Sequence, residues 1–219
     1  MILTNGEIKK AITDGDISLS VSDEKCFQPA SYDLRVGPQG FTTTEKKIVR
    51  VDQNGIFILK PGDFGVLTTL EIITLSKRIV ARFGLKSRFG RMGLVPAIGP
   101  QIDPGFQGRL FVGLINLSPK DVVLSYQEPF LTVEFHKLAV AATKNYEGPY
   151  QGQVELSGKD IEPLIHEGLA FSELFTELSA LSKNVSELTA SVNSLKWSVP
   201  IIVLVGMSVV AILVGLIIL

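Results

Sequence analysis

The chain has one cysteine, Cys26, and two histidines in 219 residues. A lone thiol rules out an internal disulfide, which fits a reducing compartment. So few thiols and imidazoles argue against a His/Cys metal centre. The opening MILTNGEIKKAI lacks the apolar stretch of a secretory signal, so none is expected there. Excess positive charge is missing too. Residues 1–155 carry 18 Lys and Arg against 16 Asp and Glu, residues 156–197 carry 3 against 6, and the net charge is −1. A near-neutral head leaves no basic footprint, and no nucleic-acid partner is expected. The sharpest absence is at the other end. Residues 199–219, VPIIVLVGMSVVAILVGLIIL, hold no charged side chain, and their one polar side chain is Ser208.

At about 1.5 Å per residue this stretch forms a helix of roughly 31 Å, enough to cross a bilayer core. A buried core helix of that length would normally carry a polar stripe. Trp197 suits the membrane interface, and Lys196 precedes it. A removed lipid-anchor signal would need a secretory N-terminus. The expectation is a single-pass C-terminal anchor over 198–219 with the head in the cytoplasm. Lys183 and Lys196 lie on the head side and nothing charged follows the helix, in line with the positive-inside bias.

Before the anchor the apolar pattern changes twice. Residues 5–13 read as a short helix with Asn5 as its cap. From Phe27 to about Leu138, short runs such as IFIL, GVLTTLEIITL, IVARFGL, RLFVGLINL, DVVLS and FLTVEFHKL are separated by PGD, RFGRMG, DPGFQG and SPKD turns. That spacing is of an all-β sandwich or barrel. Residues 139–156 are turn-rich and read as an ordered arm. From Phe171, apolar residues fall at Leu174, Leu178, Leu181, Val185, Leu188, Val192 and Leu195. The intervals alternate three and four for about three and a half heptads, a coiled-coil seam. The alternative is an amphipathic helix packed on its own head. The narrow stripe, leading directly into the anchor, favours the coil, and a shared membrane makes it parallel. The expected division is a head over 1–155, a linker over 156–170, a coiled-coil stalk over 171–197 and the anchor over 198–219.

Four head segments carry chemistry: Gln28-Pro-Ala-Ser-Tyr-Asp-Leu-Arg-Val-Gly37, Leu85-Lys-Ser-Arg-Phe-Gly-Arg-Met-Gly-Leu94, Gln101-Ile-Asp-Pro-Gly-Phe-Gln-Gly108 and Tyr150-Gln-Gly-Gln153. Lys86, Ser87, Arg88 and Arg91 in a Gly-flanked turn could grip a polyphosphate by charge and hydroxyl, with glycine allowing close backbone approach. Asp103, in a tight turn after a strand, could meet a sugar hydroxyl, a water or a metal. Alone, each is as compatible with a plain solvated turn.

Together, in this order and spacing, they resemble the dCTP deaminase/dUTPase family over residues 1 to about 154, closer to the deaminase branch with its PASYDLRLG, GRSSLARLGL, RIDPGW and YQGQ segments. The resemblance implies a mainly β fold, a distorted β-barrel head, followed here by the helical coiled coil and one transmembrane helix. It also implies a homotrimer with three pyrimidine deoxynucleoside triphosphate sites at subunit interfaces, Mg²⁺ accompanying the triphosphate, and an arm closing over each site. The site residues carried over are Lys86, Ser87, Arg88, Arg91, Asp103, Tyr150 and Gln153, with no metal ligand assigned.

The departures from the family pattern matter as much. The deaminases' general-base Glu falls on Gly113, which cannot take a proton, and general-base catalysis contributes typically 10²–10⁴-fold. Lys86 stands for an Arg and loses the bidentate fork. Arg88 replaces a small residue, which leaves two options: an added phosphate contact or a plug in the site. Thr132 stands where a Gln is expected. In dUTPases the residue matching Asp103 orients the hydrolytic water, and a small residue lies at the place of Gly113. Against dUTPase stand Pro100 for Gly, Phe106 for Tyr, and the missing Gly-rich phosphate arm. Two functions of different class remain: a nucleotide-binding pseudoenzyme acting as sensor or membrane effector, and a tethered nucleotide pyrophosphatase using Asp103. Rescue of deamination by other groups ranks third. The Val/Leu seam by itself leans to two strands, against the trimer the family implies.

Overall fold

The computed structural model describes residues 1–97, 99–165 and 171–218, and of residues 165, 171–173, 175 and 211–218 the backbone alone. α1 (Asn5–Thr13) and β1 (Ile17–Leu19) open the chain. A 3-10 turn at Glu24–Cys26 leads to β2 (Phe27–Gln28) and β3 (Ser31–Thr42). Next come β4 (Ile48–Arg50), α2 (Val51–Asn54), β5 (Ile56–Leu59), β6 (Phe64–Leu75), β7 (Ile79–Leu85) and α3 (Ser87–Arg91). β8 (Leu94–Pro96), β9 (Gln101–Ile102), β10 (Gln107–Asn116), β11 (Val122–Ser125) and β12 (Pro129–Lys137) follow, then α4 (Gly158–Ile165) and α5 (Phe171–Ile218).

Ten strands form one curled antiparallel sheet in the order β8-β10-β6-β3-β12-β7-β9, with β1 added to β6 and β2 and β4 added to β3; β5 and β11 make a separate ribbon. The head is mainly β, as expected, with its dUTPase-like strands curled into a half-barrel where a distorted β-barrel was expected. Six strands, four of the sheet and both of the ribbon, coincide with the apolar runs of the sequence. The period-2 alternation drives Leu67, Ile73 and Leu75 of β6 inward against Leu34, Val112, Leu114, Val133 and Phe135. Each such side chain contributes about 1.5–3 kcal/mol on burial.

Three local expectations change. The cap of α1 is Thr4, not Asn5: its backbone is extended and its hydroxyl accepts from Glu7 N, while the Glu7 carboxylate accepts from Thr4 N at 2.9 Å. That reciprocal pair satisfies two otherwise orphaned donors. The RFGRMG turn contains helix α3, anchored by buried Phe89. The stretch read as a linker, 156–170, contains α4, with Leu156 and Ile161 buried; its residues 166–170 lie outside the described ones.

The chain divides into two compact units, Met1–Glu173 and Leu174–Leu219. In the second, α5 continues as one helix through Pro200, although proline removes a backbone donor from the helix ladder. Its stretch Thr176–Val210 is long and apolar enough to cross a membrane. The seam residues from Leu174 to Leu195 are exposed, from 40 % at Leu174 to 67 % at Leu188.

Candidate functional site

β7 delivers the basic turn. Lys86 N donates to Phe130 O at 2.9 Å, which ties the end of β7 beside β12. Phe89 is fully buried and pins α3 by one face, leaving Ser87, Arg88 and Arg91 exposed on the other. At Gly93, φ is +94° and a β-carbon would lie 2.8 Å from Ser118 Cβ, so the reversal into β8 requires glycine.

The three cations of this turn differ in what they touch. Lys86 Nζ is paired with the buried Asp33 of β3. The other oxygen of that carboxylate accepts from Thr132 Oγ1 at 3.0 Å, because β12 sets Thr132 opposite Asp33. Thr132, at the position where a Gln is expected, thus completes a Lys86–Asp33–Thr132 group. Arg88 is paired with Glu128, so it neither hangs free toward a ligand nor lies loose across the site. Among the described residues the Ser87 and Arg91 side chains have no partner.

Asp103 follows β9. Its Oδ1 accepts from Gln101 Nε2 at 2.6 Å, and Phe106 N closes the turn on Asp103 O at 3.1 Å. Gly105, at φ +81°, lets the loop approach Asn145 so closely that a β-carbon would lie 2.6 Å from Asn145 Oδ1. The Phe106 and Tyr146 rings stack edge to face beside it.

The YQGQ segment is laid along this same loop. Gln151 accepts from Gln107 N at 3.0 Å and donates to Gly105 O at 3.0 Å. Gly152 N donates to Gln107 O at 2.8 Å, and Arg109 N donates to Gln153 O at 2.9 Å. The Arg109 guanidinium reaches Val154 O at 3.1 Å. Tyr150 remains exposed, and Gln153 Nε2 donates to Asp160 Oδ1 at 2.8 Å. The structure therefore joins Asp103's turn to the arm, from segments far apart in sequence.

It does not join them to the basic turn. β9 pairs with β7 through Ala81↔Ile102 and Arg82↔Gln101, so Asp103 falls beside the Ile79 end of β7 while Ser87 follows the Leu85 end. Ala81 to Ser87 is roughly 20 Å of extended strand.

Gly113 is buried in β10, opposite Val66 of β6, and its carbonyl accepts from Ala97 N at 2.9 Å. A β-carbon there would meet Ala97 O at 2.8 Å and the Phe64 ring at 3.2 Å.

Sequence reasoning missed several polar residues. Asp33 and Gln151 stood inside quoted motifs without being chosen. Arg109 and Glu128 gave no signal of their own. Nor did Glu71, an inward position of β6 whose fully buried carboxylate accepts from Arg35 Nε at 2.7 Å and Arg35 N at 3.0 Å. Burial pushes the Glu71 carboxyl above its ordinary range, against these hydrogen bonds.

Residues 2–138 match the family model for dCTP deaminase-like proteins. The chain is 33 % identical over 156 residues to a dCTP deaminase of Thermococcus sibiricus, covering 71 % of this chain and 95 % of that one. With a dCTP deaminase of Pyrococcus abyssi it is 34 % identical over 152 residues, covering 69 % and 94 %. Among solved structures, 2'-deoxycytidine 5'-triphosphate deaminase from Agrobacterium tumefaciens superposes with a TM-score of 0.52 at 20 % identity. That match covers 62 % of this chain and 47 % of that one, and it bears on the fold alone. By its matched residues, its relatives and its curled sheet, the chain belongs to the dCTP deaminase-like family.

Proposed function

We propose that this protein is a membrane-tethered, dCTP deaminase-like protein that binds a pyrimidine deoxynucleoside triphosphate and does not deaminate it, acting as a nucleotide sensor or membrane effector. The observation that carries this reading is Gly113. The family's general base is lost there, and the backbone of Ala97 and the ring of Phe64 occupy the space its side chain would need. The site is assembled between copies of a homotrimer, a reading supported by the separation of Ser87 and Arg91 from Asp103 along β7. Exposed Met92, Val95 and Leu117, beside α3, supply apolar surface for a neighbouring copy. Lys86, Ser87, Arg88 and Arg91 meet the phosphates; Asp103, Tyr150 and Gln153 complete the site. Mg²⁺ enters with the triphosphate: among the described residues no three His, Cys, Asp or Glu side chains converge on a common point, and Mg²⁺ commonly keeps waters and phosphate oxygens as ligands. The seam over 171–197 is a parallel coiled-coil stalk, and 198–219 is the anchor, with the head cytoplasmic.

A second reading, a tethered pyrophosphatase, is favoured by one observation. Gln101 holds Asp103 by Oδ1 and leaves Oδ2 without a partner among the described residues, free to orient a water. Full-length protein in detergent with dCTP or dUTP and Mg²⁺, assayed separately for ammonia and pyrophosphate, tests both. No ammonia is expected, and family-like ammonia release overturns the first reading. Pyrophosphate that disappears in Asp103→Asn, with binding spared, establishes the second.

A further inference from the structure

The pair between Arg88 and Glu128 joins an exposed cation to a more buried anion. The Arg88 side chain is 59 % exposed on α3, between Ser87 and Arg91, whereas the Glu128 side chain is 17 % exposed. Glu128 is held from several directions. Its N–H donates to Ser125 O at 3.0 Å and its carbonyl accepts from Val36 N at 2.9 Å. Its Oε2 accepts from Ser125 N at 3.0 Å. Gln127 before it sits at φ +64°, a left-handed corner closed by Gln127 N on Val36 O at 3.0 Å. These contacts aim Oε1 at Arg88 before any ligand arrives. Asp33 occupies Lys86 in the same manner, so Arg91 alone of the three cations is left unpaired among the described residues.

We propose that Glu128 is a resident counter-anion that competes with nucleotide phosphate for Arg88, making it a specificity-determining residue of the turn. This rests on the nucleotide-binding reading above. A guanidinium already satisfied by a pre-positioned carboxylate gains little from a weakly charged ligand. A polyphosphate, bringing several negative oxygens at once, draws Arg88 off Glu128 and onto itself. Glu128 thereby sets the charge a ligand must bring, and the exchange leaves its carboxylate exposed to repel further anions. Arg88 is accordingly a conditional phosphate contact, in the position where the family resemblance implies a small residue.

The test is calorimetry on full-length protein in detergent, titrated with Mg²⁺–dUTP, Mg²⁺–dCTP and inorganic tripolyphosphate. Glu128→Gln keeps an oxygen for Ser125 N and removes the charge. It is expected to tighten binding about two- to fivefold, the scale of a partly exposed ion pair, and to steepen its loss with added salt. The gain should extend to tripolyphosphate, because the effect acts on phosphate and not on the base. Arg88→Gln, an exposed substitution, should erase it: Arg88→Gln/Glu128→Gln should bind as Arg88→Gln alone does. Wild-type binding that Glu128→Gln leaves unchanged or weakens overturns this inference and leaves nucleotide binding standing. Tightening that persists without Arg88 also overturns it. No binding by the wild type or either single variant overturns the nucleotide-binding reading and the inference with it.

Discussion

Gly113 lies in the middle of β10, where neighbours on both sides are buried, and a β-carbon there would lie 2.8 Å from a backbone oxygen. Backbone cannot swing aside as a side chain end can. Restoring the family carboxylate by Gly113→Glu therefore requires moving Ala97 or Phe64 and burying a charge with no partner. Overpacking alone costs about 1–3 kcal/mol, and an unpaired buried carboxylate adds to it. The expected result is a fall in melting temperature of roughly 4–8 °C for a loss near 2 kcal/mol, with no ammonia released from dCTP. Gly113→Ala isolates the steric part and should fall by less. A Gly113→Glu protein that melts like the wild type would show that the strand yields easily, and the loss of the base would then be the whole of the difference from the family.

The arm and α4 form one hydrogen-bonded element. The Asp160 carboxylate accepts from Gln153 Nε2, Ser157 N and Ser157 Oγ, all within 2.8 Å. Partial burial acts to raise its pKa, but these hydrogen bonds, those of Ser157 foremost, hold the carboxyl below its ordinary value. The sign follows from linkage. A depressed carboxylate contributes stability that is fully present above the unfolded value, about 4. It is lost as pH falls through the lower folded value. At neutral pH, Asp160→Asn should speed amide exchange in residues 158–165 and in the 150–154 arm. The gap between variant and wild type should narrow as pH drops below about 4. A gap of the same size at pH 3 would mean that shape, not charge, holds this latch. Gln153 belongs to it as well, donating from the arm into α4.

At the scale of the whole molecule, two candidate assembly devices lie in one chain. The proposed sites, built from Ser87 and Arg91 of one copy and Asp103 of another, require the heads to associate, and the proposed head assembly is a trimer. The seam, with Val185 and Val192 among leucines, leans by itself toward two strands. The heads should decide, since an interface of standard size is far larger than one stripe of apolar side chains. Light scattering of the full-length protein in detergent should give a trimer. Leu181→Asp/Leu188→Asp should stay trimeric at high concentration and dissociate at a lower dilution factor than the wild type. A full-length dimer, or a seam variant that is monomeric throughout, would put assembly in the stalk and remove the interface site.

Periodicity and punctuation determined a good deal of this protein without any coordinates. β5, β6, β7, β10, β11 and β12 were legible as apolar runs, because alternation at period 2 is a local property of the chain. The long apolar helix was legible because an unbroken run without charge is likewise a local property of the chain. Motif spacing also singled out Asp103, the basic turn and YQGQ as candidates for one site. The tertiary structure alone decided which of them meet. Thr4 displaced Asn5 as cap because its backbone is the extended one. Arg88 found Glu128, and Lys86 found Asp33, across strands whose pairing no local signal encodes. Glu71 reads in sequence as one more acidic residue of a strand, yet its inward position in β6 commits it to Arg35 in the core. Ion pairs of this kind depend on register between distant strands, and register is set by the burial of the whole sheet. For the same reason, only the pairing of β7 with β9 placed Asp103 near the Ile79 end of β7, with the basic turn following the other end.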